Sequence, residues 1–600
     1  MEGFEDLIKS GCYYVDKTIY LQDIFLVREN AKILLFTRPR RFGKTLNLKT
    51  IEAFCKLDYK NPGNKTYQEE LFLDNGRNLA ISNNDYKELR HKFMGELPVI
   101  YISFKDIYGK SYNSAIRVFL RIIRNIYFEF EFLTESSKIS PSNRDTFIQY
   151  LDFANQISID LDQEDILSTA EAIIQDFIPL LGSMLHREFG RKVLIIIDEY
   201  DVPLQKALIA KEPYYDEMLE IIKHITNATF KENYDSWLLK GIVTGCLKIS
   251  HQSIFTDANN FVEYGINQTG YAAFFGITIS ETQKILKDCE ILDREKIIAE
   301  WYDGYRIGNE HLFCPWSLLQ YCSKIAASTN SNLEPMPYWI NTSGNDIIEL
   351  YLKRAIQDDL SNEIERLAKL LKGIPQQIEL QEFDTYPNIS SRCVNFDSFM
   401  TLLLQTGYLT FTDDSNLHDI VSLRIPNLEI HKCFDYKIRK LYATSNPIWR
   451  LKAKRLLAHI FVNEKLSIRS DINELLHKFL SLRDTAKEFF YHGFIYGILS
   501  MVAQSENIHL QSEVESGDGF SDIILCNEYS KTAVILEFKK TKNDAQARIA
   551  ASENAAHQIV EKNYVEELLQ NNYTTIYGIG IGFGGKYCEI TTLGNLALKS

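Results

Sequence analysis

No stretch of the 600-residue chain is dominated by proline, glycine, serine or glutamine, and no segment repeats another. A disordered or low-complexity protein is thereby excluded, since such tracts bury too little apolar surface to offset the entropy of ordering. Also missing is any CxxC pair or tight Cys/His cluster among the ten cysteines, which are scattered from Cys12 to Cys588. No thiolate metal site is expected, and the cysteines read as reduced, mostly buried thiols of a cytoplasmic protein. Basic excess is absent too: 66 lysines and arginines face 80 acidic residues, a net charge of −14. That excludes a protein that coats nucleic acid by bulk electrostatics and leaves nucleic acid as a substrate held in a local cleft. The opening residues MEGFEDLIKSGCYYVDKT have no basic segment followed by an apolar one, and no later run is long enough to span a bilayer. Neither a cleaved secretion signal nor a membrane partner is expected.

What is present is 45% apolar residues in a chain too long for one hydrophobic core, so two or more domains are expected. AKILLF, then TRPRRFGKT, then LNLKTIEAFCKL read as strand, loop and helix over residues 31 to 55 or so. Further strands are expected at PVIYISF, KVLIIIDEY and WLLKGIVTG, with helices such as TAEAIIQDFIPLLGSML between them. Nearly continuous Val, Ile and Leu strands alternating with helices imply a parallel sheet covered on both faces. From about 270 the pattern turns helical, with ISETQKILKDC and NEIERLAKLLKGI as amphipathic candidates; FMTLLLQTGYLTF and IVSLRIPNLEI then suggest a helix leading into a short hairpin. The last hundred residues give SDIILCN and TAVILEFKK as paired strands, a helix over DAQARIAASENAAHQIVEKNY and a closing strand at TTIYGIGIGF, an α/β domain. The expected division is 1–270, an α/β nucleotide-binding domain; 271–450, a helical subdomain with a hairpin and linker; and 451–600, a second α/β domain.

Binding a nucleoside triphosphate needs inward-pointing backbone amides, a lysine at the outer phosphates and a hydroxyl for Mg²⁺. The loop ending Arg41, Phe42, Gly43, Lys44, Thr45 and Leu46 supplies these, with Thr45 on the metal. In the usual GxxxxGKT spacing the first glycine falls where this chain has Arg38, followed by Pro39, Arg40 and Arg41, so the loop is expected to be stiff and strongly cationic. KVLIIIDEY delivers Asp198 to the metal-bound water shell and Glu199 to polarise the attacking water. Thr244, ending a neighbouring strand, is a candidate sensor of the γ-phosphate; Lys248 and Asn260 are weaker candidates. A helix N-terminus that merely contains Gly and Lys, and a solvated strand end at Asp198 and Glu199, are the plainer alternatives, and the two motifs together argue against both.

Mg²⁺-dependent phosphodiester hydrolysis needs carboxylates that hold the metal and a lysine that stabilises charge or helps activate water. Asp522 opens one strand of the C-terminal pair, while Glu537 and Lys539 share a face of the next because side chains repeat every two residues. An isolated ExK is more often a solvated strand face; the hairpin turn CNEYSK, which would let the three groups converge, weighs the other way.

YYVDKT at 13–18, LFTRPRRFGKTL at 35–46, IIIDEYDVPL at 195–204, TGCLKIS at 244–250, WYDGYRIG at 301–308, FCPWS at 313–317, GYLT at 407–410 and LRIPNLEI at 423–430 closely resemble the AAA-ATPase-like family. The RPRRFGKT form, arginine included, is shared within that family; Cys314 departs from the asparagine usual before Pro-Trp-Ser. Such modules are commonly fused to a C-terminal PD-(D/E)XK nuclease-like domain, and SEVESGDGFSDIILCNEYSKTAVILEFKK resembles it, with Phe520 where arginine is frequent. The resemblance implies an AAA-like P-loop ATPase that binds ATP and Mg²⁺, a nuclease acting on DNA or RNA, and assembly into a homo-oligomer. It also implies an acidic ligand at Glu488, on a helix shared with His492, and matches Gln558 and Tyr564 to a QxxxxxY on the later helix. Glu513 and Glu515 compete with Glu488 for that role. Two other readings stay open: a nucleotide-dependent switch whose nuclease fold binds nucleic acid or a partner without cutting, and a helical scaffold with vestigial sites. The intact Asp522, Glu537 and Lys539 set argues against the second.

Overall fold

The segment ILLFT, buried at all five positions, forms β1 (Ile33–Thr37), and burial on both faces is what a central parallel strand requires. The glycine-ended loop after it leads into α1 (Lys44–Cys55). Three more apolar segments form β2 (Val99–Ser103), β3 (Val193–Asp198) and β4 (Leu238–Gly245), and a short strand, β5 (Phe261–Tyr264), completes the sheet. The order is β2-β3-β4-β1-β5 and every pairing is parallel. On one face Leu34, Phe36, Leu194, Ile196 and Ile242 pack into a cluster with Leu48, Ile51 and Phe54 of α1. The residues of opposite parity, Ile33, Leu35, Ile195 and Ile197, are equally buried. That second face is the side of α2 (Glu164–Phe189), which contacts β3, and of α4 (Tyr215–Phe230), which packs on α2 and on the short α3 (Val202–Leu208).

The computed structural model describes the chain except residues 1–2, 28–29, 75, 157–159, 209, 211–212, 232–235, 250–260, 328–332, 340–365, 368, 372, 382–395, 416, 418, 435–446, 480–487, 517–518, 562–564 and 599–600. Within described helices and strands, the side chains of 447–450, 478–479, 488–490, 492–493, 501, 504, 512–516 and 519–522 are also outside the description. The chain divides into two compact units, Met1–Tyr351 with Asn362–Cys433, and Leu352–Ser361 with Phe434–Ser600.

The first unit continues past the parallel sheet. The expected helix at ISETQKILKDC is Ile279–Asp288, started by a reciprocal cap between Thr278 and Glu281. Around it lie two small sheets within the mainly helical pattern: β6 (Ile277–Thr278), β7 (Tyr305–Ile307) and β8 (Glu310–Phe313) in one, and β9 (Gln376–Glu379), β10 (Thr410–Phe411) and β11 (Ile420–Arg424) in the other. Helices α5 (Pro315–Ala326) and α6 (Phe396–Thr406) belong to this region, and α6 does lead into the expected β10–β11 hairpin. The candidate helix NEIERLAKLLKGI lies partly outside the described residues, and within it 366–367 and 369–371 are helical.

The second unit holds α7 (Pro447–Phe461), α8 (Lys465–Phe479) and α9 (Glu488–Ala503). A five-stranded sheet follows in sequence order: β12 (Ile508–Ser516), β13 (Gly519–Asn527), β14 (Thr532–Lys540), β15 (Thr575–Gly584) and β16 (Tyr587–Leu593). Only β14 and β15 pair in parallel, and α10 (Ala545–Glu561) makes that crossover, with α11 (Val565–Gln570) after it. Ile523, Leu525, Leu536 and Phe538 face the helices α7 to α9, whereas Ile524, Cys526, Ala533 and Ile535 face α10 and α11. Among the described residues no helix is long and apolar enough to cross a membrane.

Candidate nucleotide and nuclease sites

The loop after β1, the end of β3 and the end of β4 lie side by side because β4 pairs with both β1 and β3. Their functional side chains meet on Asp198, which is buried. The Thr45 hydroxyl donates to Asp198 Oδ2 at 2.7 Å, the Thr244 hydroxyl to Oδ1 at 2.6 Å, and the Tyr101 hydroxyl to Oδ2 at 3.3 Å. One hydroxyl and one carboxylate in contact form the small oxygen-donor set that Mg²⁺ takes from protein when phosphates and water complete its shell.

Gly43 caps α1 in the left-handed conformation with φ 77°. Lys44 is buried; its ammonium donates to the carbonyl oxygens of Arg38 and Pro39 at 3.2 Å and to Cys246 Sγ at 3.3 Å, and lies 3.9 Å from Glu199 Oε1. Burial alone would depress its pKa, but Cys246 and the carboxylates of Glu199, Asp198 and Asp201 outweigh that and raise it. Glu199 and Arg41 both hold a left-handed backbone, φ 56° and 69°. For residues with a side chain such backbone stores about 1–3 kcal/mol each, typically where a site needs one particular direction. Burial, helped by Asp201 and Asp198, lifts the Glu199 carboxyl above its ordinary range, with Lys44 and Arg40 opposing.

The three arginines of the loop are each engaged by the protein. Arg38 is fully buried and turns away from the loop, donating to the carbonyl oxygens of Thr37, Tyr264, Gly265 and Gly270. It ties β1 to the segment after β5, and burial brings its guanidinium down to about 9. Arg40 donates to Gln205 Oε1 at 2.8 Å, and the Arg41 guanidinium lies 4.2 Å from the centroid of the Trp316 ring. Phe42 is buried edge-on against Tyr305, and Leu46 packs against the core that holds α1, so both side chains are taken up by packing. Lys248 is drawn to Glu263 at 3.4 Å; Asn260 lies outside the described residues.

In the second unit Glu537, on β14, is 2% exposed, and Lys539 is half-buried two positions on. Opposite them across the parallel pairing stand Gly580 and Gly582 of β15. One residue beyond the paired Ile523 and Leu536, the antiparallel strands carry Asp522 and Glu537. The Asp522 side chain is outside the description, as are those of Glu488, His492, Glu513, Glu515, Phe520 and Tyr564. Gln558 lies on α10, half-buried. Among the described residues no three His, Cys, Asp or Glu side chains are gathered to hold a metal. Glu537 is the described oxygen donor of the expected set, and it is of the hard type that Mg²⁺ takes.

Residues 1–255 match the AAA-ATPase-like family, described as "Predicted AAA-ATPase", and residues 486–592 match the PD-(D/E)XK nuclease superfamily. The chain carries an AAA-ATPase-like domain and a PD-(D/E)XK nuclease-superfamily domain. It is also similar to the "Uncharacterized protein in vnfD 5'region" of Azotobacter chroococcum mcd 1, at 24% identity over 430 residues, 70% of this chain and 64% of the relative's length.

The ATPase-like domain uses residues that sequence reasoning passed over. Asp201, fully buried, accepts from the backbone amides of Cys246 and Leu247 and from the Gln205 side chain, so it fixes the turn after β4 against that after β3. Burial raises its carboxyl. The third acid in IIIDEYD was the available signal. Cys246, against the Lys44 ammonium, is pushed up to about 11 by burial. For Tyr101, which reaches Asp198 from β2, a tyrosine in an apolar strand gave no cue.

Proposed function

We propose that the ATPase-like domain binds ATP with Mg²⁺, hydrolyses it, and thereby controls a Mg²⁺-dependent nuclease in the C-terminal domain that cuts DNA or RNA. The observation that carries this reading is the convergence of Thr45 and Thr244 on the two oxygens of Asp198, with Lys44 and Glu199 alongside. ATP supplies the transferable phosphoryl group, and Mg²⁺ neutralises its charge. Lys44 exchanges the carbonyls of Arg38 and Pro39 for phosphate oxygens, Thr45 and Asp198 hold the metal and its water, and Thr244 keeps Asp198 in place. Glu199 accepts the proton of the attacking water, for which a raised carboxyl is suited.

In the nuclease-superfamily domain Glu537 and Asp522, with Glu488 as the further acid, hold the metal, and Lys539 stabilises charge on the phosphate. A cytoplasmic setting accords with the described cysteines, all of which are free thiols. Homo-oligomeric assembly belongs to the same reading. The test is twofold. Lys44→Ala should abolish binding of a fluorescent ATP analogue, while Glu199→Gln should keep binding and slow phosphate release by about 10²-fold or more. Single- and double-stranded DNA and RNA with Mg²⁺ or Mn²⁺ should be cut by the wild type and not by Lys539→Ala; equal product from both removes the nuclease.

A further inference from the structure

On the sheet face that carries Glu537, a cavity of about 330 Å³ opens between the edge strand β12 and α11. Its floor is Ile524 and Cys526, on the α11 side of β13. One wall is His509 and Gln511, which pair in register with those two residues and are 3.0 Å apart between His509 Nε2 and Gln511 Nε2. The other wall is Glu567 and Asn571 at the end of α11, and Tyr573 closes the cavity with the Lys531 ammonium 5.8 Å from its ring centroid.

An apolar floor, an aromatic ring, and amide and carboxylate edges are the groups that read a nucleobase: the ring gives a stacking surface and the edges give directed hydrogen bonds. The charge balance points the same way. Glu528 and Glu567 outnumber Lys531 among the lining residues, so a phosphate is disfavoured inside while a neutral base is not. The two carboxylates, Glu528 and Glu567, accept only, so they match a base with an exocyclic amino group, as adenine, cytosine and guanine have and thymine and uracil lack. The volume is at the low end of the roughly 300–1,000 Å³ of small-molecule clefts, enough for one base and its sugar and too small for a stacked duplex end.

The position relative to the proposed chemistry follows from the strands. Cys526 pairs with Ala533, and Glu537 lies further along the same strand on the same face. Four residues at about 3.3 Å each put the cavity roughly 13 Å from Glu537. That is about four nucleotides at the stacked rise of roughly 3.4 Å, and fewer for an extended strand.

We propose that this cavity is a nucleobase subsite that seats an unstacked amino-bearing base of a single strand whose backbone runs on to Glu537 and Lys539. The inference rests on the nucleic-acid reading of this domain. The test uses the full-length protein in EDTA, so that binding is read without cleavage, and fluorescein-labelled short single strands of oligo(dA), oligo(dC), oligo(dT), an abasic backbone, oligo(rA) and oligo(rU). Expected is binding of the amino-bearing strands about tenfold or more tighter than oligo(dT) and the abasic strand. The Gln511→Leu/Asn571→Leu double variant, altered at two exposed positions that folding tolerates, should lose this preference and keep its affinity for the abasic strand. Tyr573→Leu should weaken every base-bearing strand relative to the abasic one.

No single-strand binding, no base preference in the wild type, or a preference that survives in both variants overturns the proposal. Cleavage with Mg²⁺, measured in parallel, separates the two readings. Base preference without cleavage sustains the subsite and removes the nuclease. Cleavage without base preference does the reverse. The DNA and RNA arms identify which polymer the subsite takes.

Discussion

Arg38 stands where a phosphate loop usually has glycine, and its neighbours show why a cation there is compatible with a nucleotide site: the guanidinium is spent on four backbone carbonyls behind the loop. Sequence alone reveals the charge of a residue and not the direction of its side chain, so the loop read as cationic. Arg38→Met fills much of the volume but leaves those carbonyls without their donor. It should lower unfolding free energy by about 3 kcal/mol or more, measured by denaturant titration of the intact chain. An unchanged midpoint would show that the guanidinium is not what ties β1 to the segment after β5. Glu429 offers a second residue-scale case. It is fully buried, its Oε1 accepts from the amides of Tyr338 at 2.6 Å and Trp339 at 3.0 Å, and burial pushes its carboxyl up to about 7. A carboxyl raised in the folded state binds its proton more tightly there than when unfolded. Stability from this group is therefore full below about pH 4.5 and declines as pH rises towards 7, by up to about 3 kcal/mol. Glu429→Gln keeps the acceptor and removes the ionisation, so its melting temperature should fall less than the wild type's between pH 5 and pH 8, as read by scanning calorimetry.

Elements with one dominant period were legible and elements without one were not. β1 and β3 announce themselves by unbroken apolar runs, β4 by one interrupted at Lys240, and β13 and β14 by the shorter runs IIL and AVIL. β5 has three half-exposed residues of four, and β6 has only two residues, so their local signal is too weak to compete with the helical pattern around them. They exist because tertiary pairing supplies what local sequence does not. Much the same limit applies to the candidate sites. Motif spacing located Lys44, Thr45 and Asp198, because their chemistry requires fixed positions in the chain, while Tyr101 and Asp201 entered through strand order and turn geometry. The closing strand carried a further signal in GIGIGFG, whose alternate glycines face α10. A Cβ on Gly582 would fall on the carbonyl oxygen of Arg548, so helix and strand touch backbone to backbone there. Gly582→Ala must push α10 off the strand that runs beside Lys539. Its expected effect is about 1–3 kcal/mol of destabilisation by overpacking, seen as an earlier transition of the nuclease-superfamily domain in urea. A variant as stable as the wild type would mean that the helix yields at no cost.

At the scale of the whole molecule the constraint is charge. A protein with net charge −14 repels nucleic acid on average, so binding has to come from a few local contacts. Because each neutralised phosphate adds to the salt dependence of binding, a short footprint gives a shallow one. Such a protein gains little from non-specific attraction, and in the proposed function it is the nucleotide state of the ATPase-like domain that decides when the C-terminal domain engages its substrate. Coupling between two sites is a free energy, typically 1–3 kcal/mol, and corresponds to roughly 5- to 150-fold in affinity. Substrate affinity in Ca²⁺, and cleavage in Mg²⁺, should therefore differ by about that factor with and without ATP in the wild type. In Lys44→Ala, which cannot take up the nucleotide, the difference should vanish while the cleavage machinery itself is untouched. Identical affinity and rate across all four combinations of protein and nucleotide would leave two independent activities on one chain.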